Sequence, residues 1–171
     1  MRFQITMITY GAQSPELSNR RYFSSLYRTT PTWTLVNLAR VRLLTEFNWY
    51  RCAVLTSPDH LHTQVLHELV ELEQLKDSDI ELTVYDTFDE TATYLLERAA
   101  EDDMRIFIVI SDEIRTRNTL CEAHRNSHRK LTGAAYVWIL PLFYDTHWWR
   151  LSQHQINNLR PTQRCSNYEM R

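Results

Sequence analysis

Apolar residues fall into two alternating patterns along this chain, short continuous runs and longer stretches with helical spacing. Phe3 to Tyr10 reads as a buried strand that ends at Gly11 and a turn-rich stretch, AQSPELSNRR. An extended segment follows over Tyr22 to Arg28. Thr32 then predicts a helix cap, with Leu35, Leu38, Val41 (or Leu43 beside Arg42) and Leu44 recurring at 3.6 spacing up to Phe47, where Asn48 stops the helix. Tyr50 to Thr56 is a short apolar strand bounded by Ser-Pro-Asp. Asp59 opens a second helix with Leu61, Val65, Leu66, Leu69 and Leu72 on one face.

The unit then repeats. Ile80 to Tyr85 reads as strand, Asp89 to Ala100 as helix with Tyr94, Leu95 and Leu96, Arg105 to Ile110 as strand, Asp112 to Arg125 as helix and Tyr136 to Leu142 as strand. Strands alternating with helices at this spacing predict an α/β fold, a doubly wound parallel sheet with helices on both faces. The run IFIVI supports this, because a strand covered on both faces is apolar at every position whereas a half-exposed strand alternates. From about Trp149 to Arg171 the composition turns polar and reads as loop with a helix start near the end. No internal repeat or low-complexity segment is visible.

Composition narrows the function classes. The 171 residues suit one ordinary domain, and 43% hydrophobic with 23% charged residues suits a globular protein able to bury a core. Lys plus Arg is 19 and Asp plus Glu 21, so a net charge of −2 gives no field that would gather nucleic acid or an anionic membrane. Only two glycines are present, Gly11 and Gly133, which excludes Gly-rich phosphate loops and dinucleotide fingerprints. No export signal is visible at the N-terminus, and the longest apolar run, Ala134 to Tyr144, is about half the roughly 20 residues of a membrane-spanning helix. Three cysteines, Cys52, Cys121 and Cys165, without CxxC spacing are too few for a disulfide scaffold. Cys52, flanked by Ala53, Val54 and Leu55, reads as a buried thiol.

Candidate chemistry is sparse. Cys121, His124 and His128 share a helical face and could supply three zinc ligands; equally, the two histidines with Arg129 and Lys130 gather cations at a helix C-terminus, where the macrodipole favours them. His60, His62 and His67 share no face and read as a solvated helix start. No HExxH, GxSxG or catalytic Cys/His signature is present. Asp112 and Glu113 follow IFIVI directly, at a carboxyl end where parallel sheets border their ligand crevice; Asp112 also reads as an N-cap acid, and both roles are compatible. Phe143, Tyr144, Trp148 and Trp149 lie just past a strand end, where they could wall a small-molecule cleft, pair with another protein or pack in the core.

Five segments in order, YGAQSPELSNRRYFSSLYRTTP, NLARVRLLTEFNWYRCAVLT, RIFIVISDEIRTRNTLCEA, YVWILPLFYDTHWW and the terminal CSNYEM, carry a resemblance over nearly the whole chain. The chain resembles the extracellular venus-flytrap domain of type B (metabotropic) GABA receptors, class C G-protein-coupled receptors. That resemblance implies one lobe of a type I periplasmic-binding-protein fold, with residues 1–28 ending the first lobe and crossing over, and residues 29–171 forming the first pass of the second lobe. It implies an incomplete trap, with the rest of the first lobe, the returning segment and the membrane domain outside this chain.

By the same resemblance the ligand-cleft positions fall at Gln13, Thr30, Asp112 and Phe143, all four substituted, with Ser14 and Tyr144 as neighbouring cleft candidates. The acid at Asp112 resembles the subunit that does not bind agonist. Cysteines of the family match Cys121 and Cys165, implying a disulfide that would take Cys121 out of any zinc set. The implied function is GABA signalling through lobe closure and heterodimer contacts with another type B-like subunit, an amino-acid-like ligand and a G protein serving the full receptor at the extracellular face of the plasma membrane. No cofactor, metal or catalysis is implied. The rival from fold class alone is a soluble flavodoxin-like binding domain or enzyme of the cytoplasm.

Overall fold

The computed structural model describes residues 5–75, 79–86, 92–125, 130–141 and 144–148. Two short parallel strands, β1 (Met7–Thr9) and β2 (Leu26–Arg28), pair through Met7 with Leu26, with a 3-10 turn at Pro15–Ser18 between them. The helix α1 (Trp33–Glu46) leads into β3 (Arg51–Thr56), α2 (His60–Leu75), β4 (Glu81–Asp86), α3 (Thr93–Glu101), β5 (Ile106–Ile110), α4 (Glu113–Arg125) and β6 (Val137–Ile139). These four strands form a parallel sheet in the order β4-β3-β5-β6. The chain steps from β3 outward to β4, crosses back over β3 to β5, and continues outward to β6. That reversal is the doubly wound topology expected from the strand-helix alternation.

Period-two geometry divides the core between the two sheet faces. Cys52, Val54, Ile106, Ile108 and Ile110 pack with Val41 and Leu44 of α1 and Val65 and Leu69 of α2. Ala53, Leu55, Phe107 and Val109 face the other way, against Leu96 and Ala99 of α3 and Ala123 of α4. Every residue of β5 is buried, as its unbroken apolar run requires.

With so few glycines, two helices end on other residues. Asn48 (φ 54°) and Asp103 (φ 53°) take the left-handed position after α1 and α3. In each the next residue reaches back to a carbonyl three positions before the cap, Trp49 N to Leu44 O and Met104 N to Ala99 O, both at 2.9 Å. This double turn satisfies the last helical carbonyls and seats Trp49 and Met104 in the two core clusters. The stop expected at Asn48 is therefore real.

Three expectations are corrected. Among the described residues the strand expected to be buried over Phe3 to Tyr10 spans Met7–Thr9, and Ile5, Met7, Ile8 and Tyr10 are exposed, because no described element covers the β1-β2 pair. Leu35 of α1 also faces out, at 57% exposure, while Asn37 and Arg40 face in. They are accommodated by hydrogen bonds: Asn37 Nδ2 donates to Val65 O (2.9 Å), and Arg40 donates to Asn37 Oδ1 (2.9 Å) and Val109 O (3.2 Å), its guanidinium lying over the Trp33 ring. Burial lowers the Arg40 pKa to about 10, which leaves it a cation at neutral pH. The third correction, at His62, belongs to the site below. Phe107, fully buried and stacked on Trp138 at 4.4 Å, reports the two-faced core. Phe107→Ala should lower unfolding free energy by about 3–5 kcal/mol in urea titration; a loss below about 1 kcal/mol would contradict a tightly packed second face.

Candidate functional site

In an open parallel sheet the crevice lies outside the carboxyl ends of the two strands whose connections leave in opposite directions. Here those strands are β3 and β5, tied at their ends by Ser57 N to Ile110 O (3.1 Å). The chain leaves each strand through a Ser and an acid, Ser57 with Asp59 and Ser111 with Asp112, and enters α2 and α4. Both acids cap their helices. Asp59 Oδ1 accepts from His62 N (3.1 Å) and Asp112 Oδ1 accepts from Arg115 N (2.9 Å), each satisfying a first-turn amide.

Arg115 joins the two caps. Its Nη1 lies 2.8 Å from Asp112 Oδ2 and 3.8 Å from Asp59 Oδ2. Two like charges at neighbouring strand ends thus share one guanidinium, which relieves their mutual repulsion. The Asp59 carboxylate also accepts from Ser57 Oγ (2.7 Å) and from His62 Nδ1. Burial alone would raise the Asp59 pKa, but the hydrogen bonds from Ser57 and His62 outweigh it and hold it down at about 2.

His62 was expected on a solvated helix start and is instead 9% exposed, edge-on to Trp33 at 6.4 Å between ring centroids. Alternation arguments missed it because its partners lie in the preceding turn and on α1. Ser57 Oγ stands 2.6 Å from the same Nδ1 that bonds Asp59. In a nucleophilic triad, serine and acid bond opposite ring nitrogens, so that the imidazole can take the hydroxyl proton. Here Ser57 gives its proton to Asp59 and a single ring nitrogen serves both oxygens. The cluster is a reinforced helix cap, and its geometry does not activate a nucleophile.

Tyr144 reaches the same rim. Its Oη donates to Ser111 O (2.8 Å), lies 3.4 Å from Asp112 O and bonds Thr116 Oγ1, while its ring tilts against Trp148 at 5.1 Å. Burial drives its pKa upward, so the phenol stays protonated. The structure therefore brings together two of the expected cleft residues, Asp112 and Tyr144. Gln13 and Ser14 sit beyond β1 and engage through their carbonyls, Gln13 O accepting from Trp33 N (3.3 Å) and Ser14 O from Arg28 Nη1 (2.9 Å). Thr30 precedes α1, with its hydroxyl buried and without a hydrogen bond. Phe143, Trp149, His128 and Cys165 lie outside the described residues.

Cys121 is disulfide-bonded, which withdraws its sulfur from the zinc set suggested by spacing, and His124 Nδ1 instead stands 3.0 Å from Thr132 Oγ1. Cys52 is a free, buried thiol, and burial pushes its pKa up to about 12, an inert state. No helix among the described residues is long and apolar enough to cross a membrane.

Comparison with known proteins converges on receptors. The family model described as receptor family ligand binding region matches residues 2–167. Gamma-aminobutyric acid type B receptor subunit 1 of Mus musculus is 30% identical over 155 residues, covering 91% of this chain and 16% of that protein. Subunit 2 of the same receptor type from Rattus norvegicus is 25% identical over 158 residues, 92% of this chain and 16% of its own length. Subunit 1 of Caenorhabditis elegans is 26% identical over 147 residues, 86% of this chain and 16% of that protein. This chain thus spans a small part of each relative. All three are receptors by name, and nothing in them supports the cytoplasmic flavodoxin-like rival. Identity is 30% to the mouse subunit 1 and 25% to the rat subunit 2, but 26% and 27% to subunits 1 and 2 of Caenorhabditis elegans, so identity does not assign this chain to one subunit type.

The cap cluster yields a pH-dependent prediction. The Asp59 carboxyl titrates at about 2 in the folded chain against an ordinary value of 3.8. Its ionised form therefore adds stability that is fully present above the unfolded value and is lost as pH falls through the folded one. Asp59→Ala should cost about 1 kcal/mol near neutrality, and the gap to the parent should narrow as pH falls from about 4 toward 2. Urea titrations across that range check it; a gap that stays constant with pH would show that the charge of Asp59 contributes nothing.

Proposed function

We propose, since this chain belongs to the family of receptor ligand-binding regions, that it forms part of the extracellular ligand-binding region of a type B GABA-like receptor. The observation that carries this reading is the family match over residues 2–167, on a fold whose switch-point crevice holds Asp112 and Tyr144. On this reading residues 1–28 finish the first lobe and cross over, and residues 29–171 supply the first pass of the second. The exposed apolar residues of β1 and β2, among them Met7, Ile8 and Tyr27, then pack against further first-lobe sheet.

The role is non-catalytic. In the complete receptor the lobe closes on an amino-acid-like ligand, contacts a second type B-like subunit and signals through a G protein at the plasma membrane. Cys121 pairs with Cys165, fastening the polar segment to α4 as an extracellular setting permits. Peptide mapping without reductant, on protein made through the secretory pathway, should yield a Cys121–Cys165 bridge with Cys52 alkylated only after unfolding. Three alkylatable thiols, or a bridge through Cys52, would remove the extracellular reading.

The crevice of this lobe alone does not suffice for binding. Closing on a zwitterion requires opposite charges aimed at its two ends, and here the Asp112 carboxylate is already shared between a helix amide and Arg115, while the Tyr144 hydroxyl is spent on Ser111 and Thr116. Isothermal titration of this chain with GABA should show no saturable heat up to millimolar concentration. A saturable signal would overturn the view that these groups are committed to the fold.

A further inference from the structure

Arg117 is 4% exposed, in the second turn of α4. A guanidinium there is unfavourable on two counts. Burial strips its water, and the positive end of the helix dipole opposes a cation near an N-terminus. Such a residue is tolerated only where specific partners offset both costs. Its Nε donates to Trp148 O at 2.8 Å, its Nη2 bonds the same carbonyl, and Nη2 also reaches Glu113 Oε1 at 2.8 Å, one turn back on the helix.

Trp148 closes a turn, its N donating to Asp145 O at 3.0 Å, and Tyr144 at the other end of that segment is bonded to Ser111 O and Thr116 Oγ1. The segment 144–148 is thereby pinned at both ends to α4 and the turn before it. We propose that Arg117 is a positioning residue, a buried guanidinium neutralised by Glu113 that sets where this segment stands at the crevice. A ligand-contacting role for the segment rests on the receptor reading above, by which the cleft aromatic falls at Phe143, directly before it. The positioning itself rests only on the geometry.

Two nitrogens of a planar fork on one carbonyl, with a third contact to a carboxylate, cannot be reproduced by an ammonium, which supplies the charge but whose three donors diverge from a single nitrogen. The test is sub-second hydrogen exchange read by mass spectrometry on the 171-residue chain and its Arg117→Met, Arg117→Lys and Glu113→Gln variants. Arg117→Met should exchange about tenfold faster across 144–148 with β3 and β5 unchanged, and Arg117→Lys should recover part of that protection. Glu113→Gln, keeping a hydrogen-bond acceptor without the charge, should fall between the parent and Arg117→Met. Unchanged exchange at 144–148 in Arg117→Met, or acceleration spread equally over β3 and β5, would overturn the proposal. If Arg117→Met does not fold, Arg117→Lys decides alone: exchange at 144–148 equal to the parent refutes the fork. None of these readouts depends on a ligand, so a failure here leaves the receptor reading standing, and the reverse holds.

Discussion

A parallel sheet must be covered on both faces, and that requirement organises everything else in this chain. Adjacent parallel strands cannot be joined by a tight turn, so each connection carries a helix across one face. Covering both faces obliges the chain to reverse its direction of winding once. The reversal falls between β3 and β5, whose buried residues divide between the two core clusters. The crevice is a consequence of that reversal, because the helices leaving β3 and β5 part to opposite faces and leave the strand ends uncovered between them.

Two helix N-termini side by side then create an electrostatic demand. Each presents unsatisfied amides and a partial positive charge, and each is met by an acid, Asp59 for α2 and Asp112 for α4. Two carboxylates so placed repel, and Arg115 between them relieves the repulsion, with Ser57 and His62 adding donors to Asp59. The demands of capping thus use up the polar groups that, in an isolated look at the strand ends, resemble ligand-binding equipment.

Much of this was legible in the sequence. The unbroken apolar run IFIVI fixed β5 as a central strand, Thr32 and Asp112 announced helix starts, and Asn48 a helix end, since each signal is local and depends on backbone geometry within a few residues. What failed depended on distant surroundings. Leu35 and Asn37 lie on opposite sides of α1 from those their hydropathy suggests, because Asn37 and Arg40 find hydrogen-bond partners on α2 and β5 that no window of α1 contains. His62 looked solvated because the ring that covers it, Trp33, lies on α1, although its polar partners Ser57 and Asp59 are in the preceding turn. The apolar pattern before Gly11 read as buried, yet a pattern reports only that cover is wanted, and among the described residues nothing covers β1. At the site, Asp112 and Tyr144, named from sequence position, lie against each other at the end of β5, whereas the contacts of Arg115 and Arg117 and the sharing of protons around Asp59 arise from side-chain packing alone.

The distribution of charge around the crevice bears on how such a lobe can work. Asp59, Asp112, Glu113, Arg115 and Arg117 are all ionic, yet each is paired within the lobe, Arg115 with the two aspartates and Arg117 with Glu113. A face whose charges are held in such pairs, with one acid in excess, exerts only a small pull on a charged ligand at a distance, and contact with it brings mainly shape and apolar surface, such as Ile114 exposed on the first turn of α4. On the receptor reading proposed above, affinity for a zwitterion has to come from groups outside these residues.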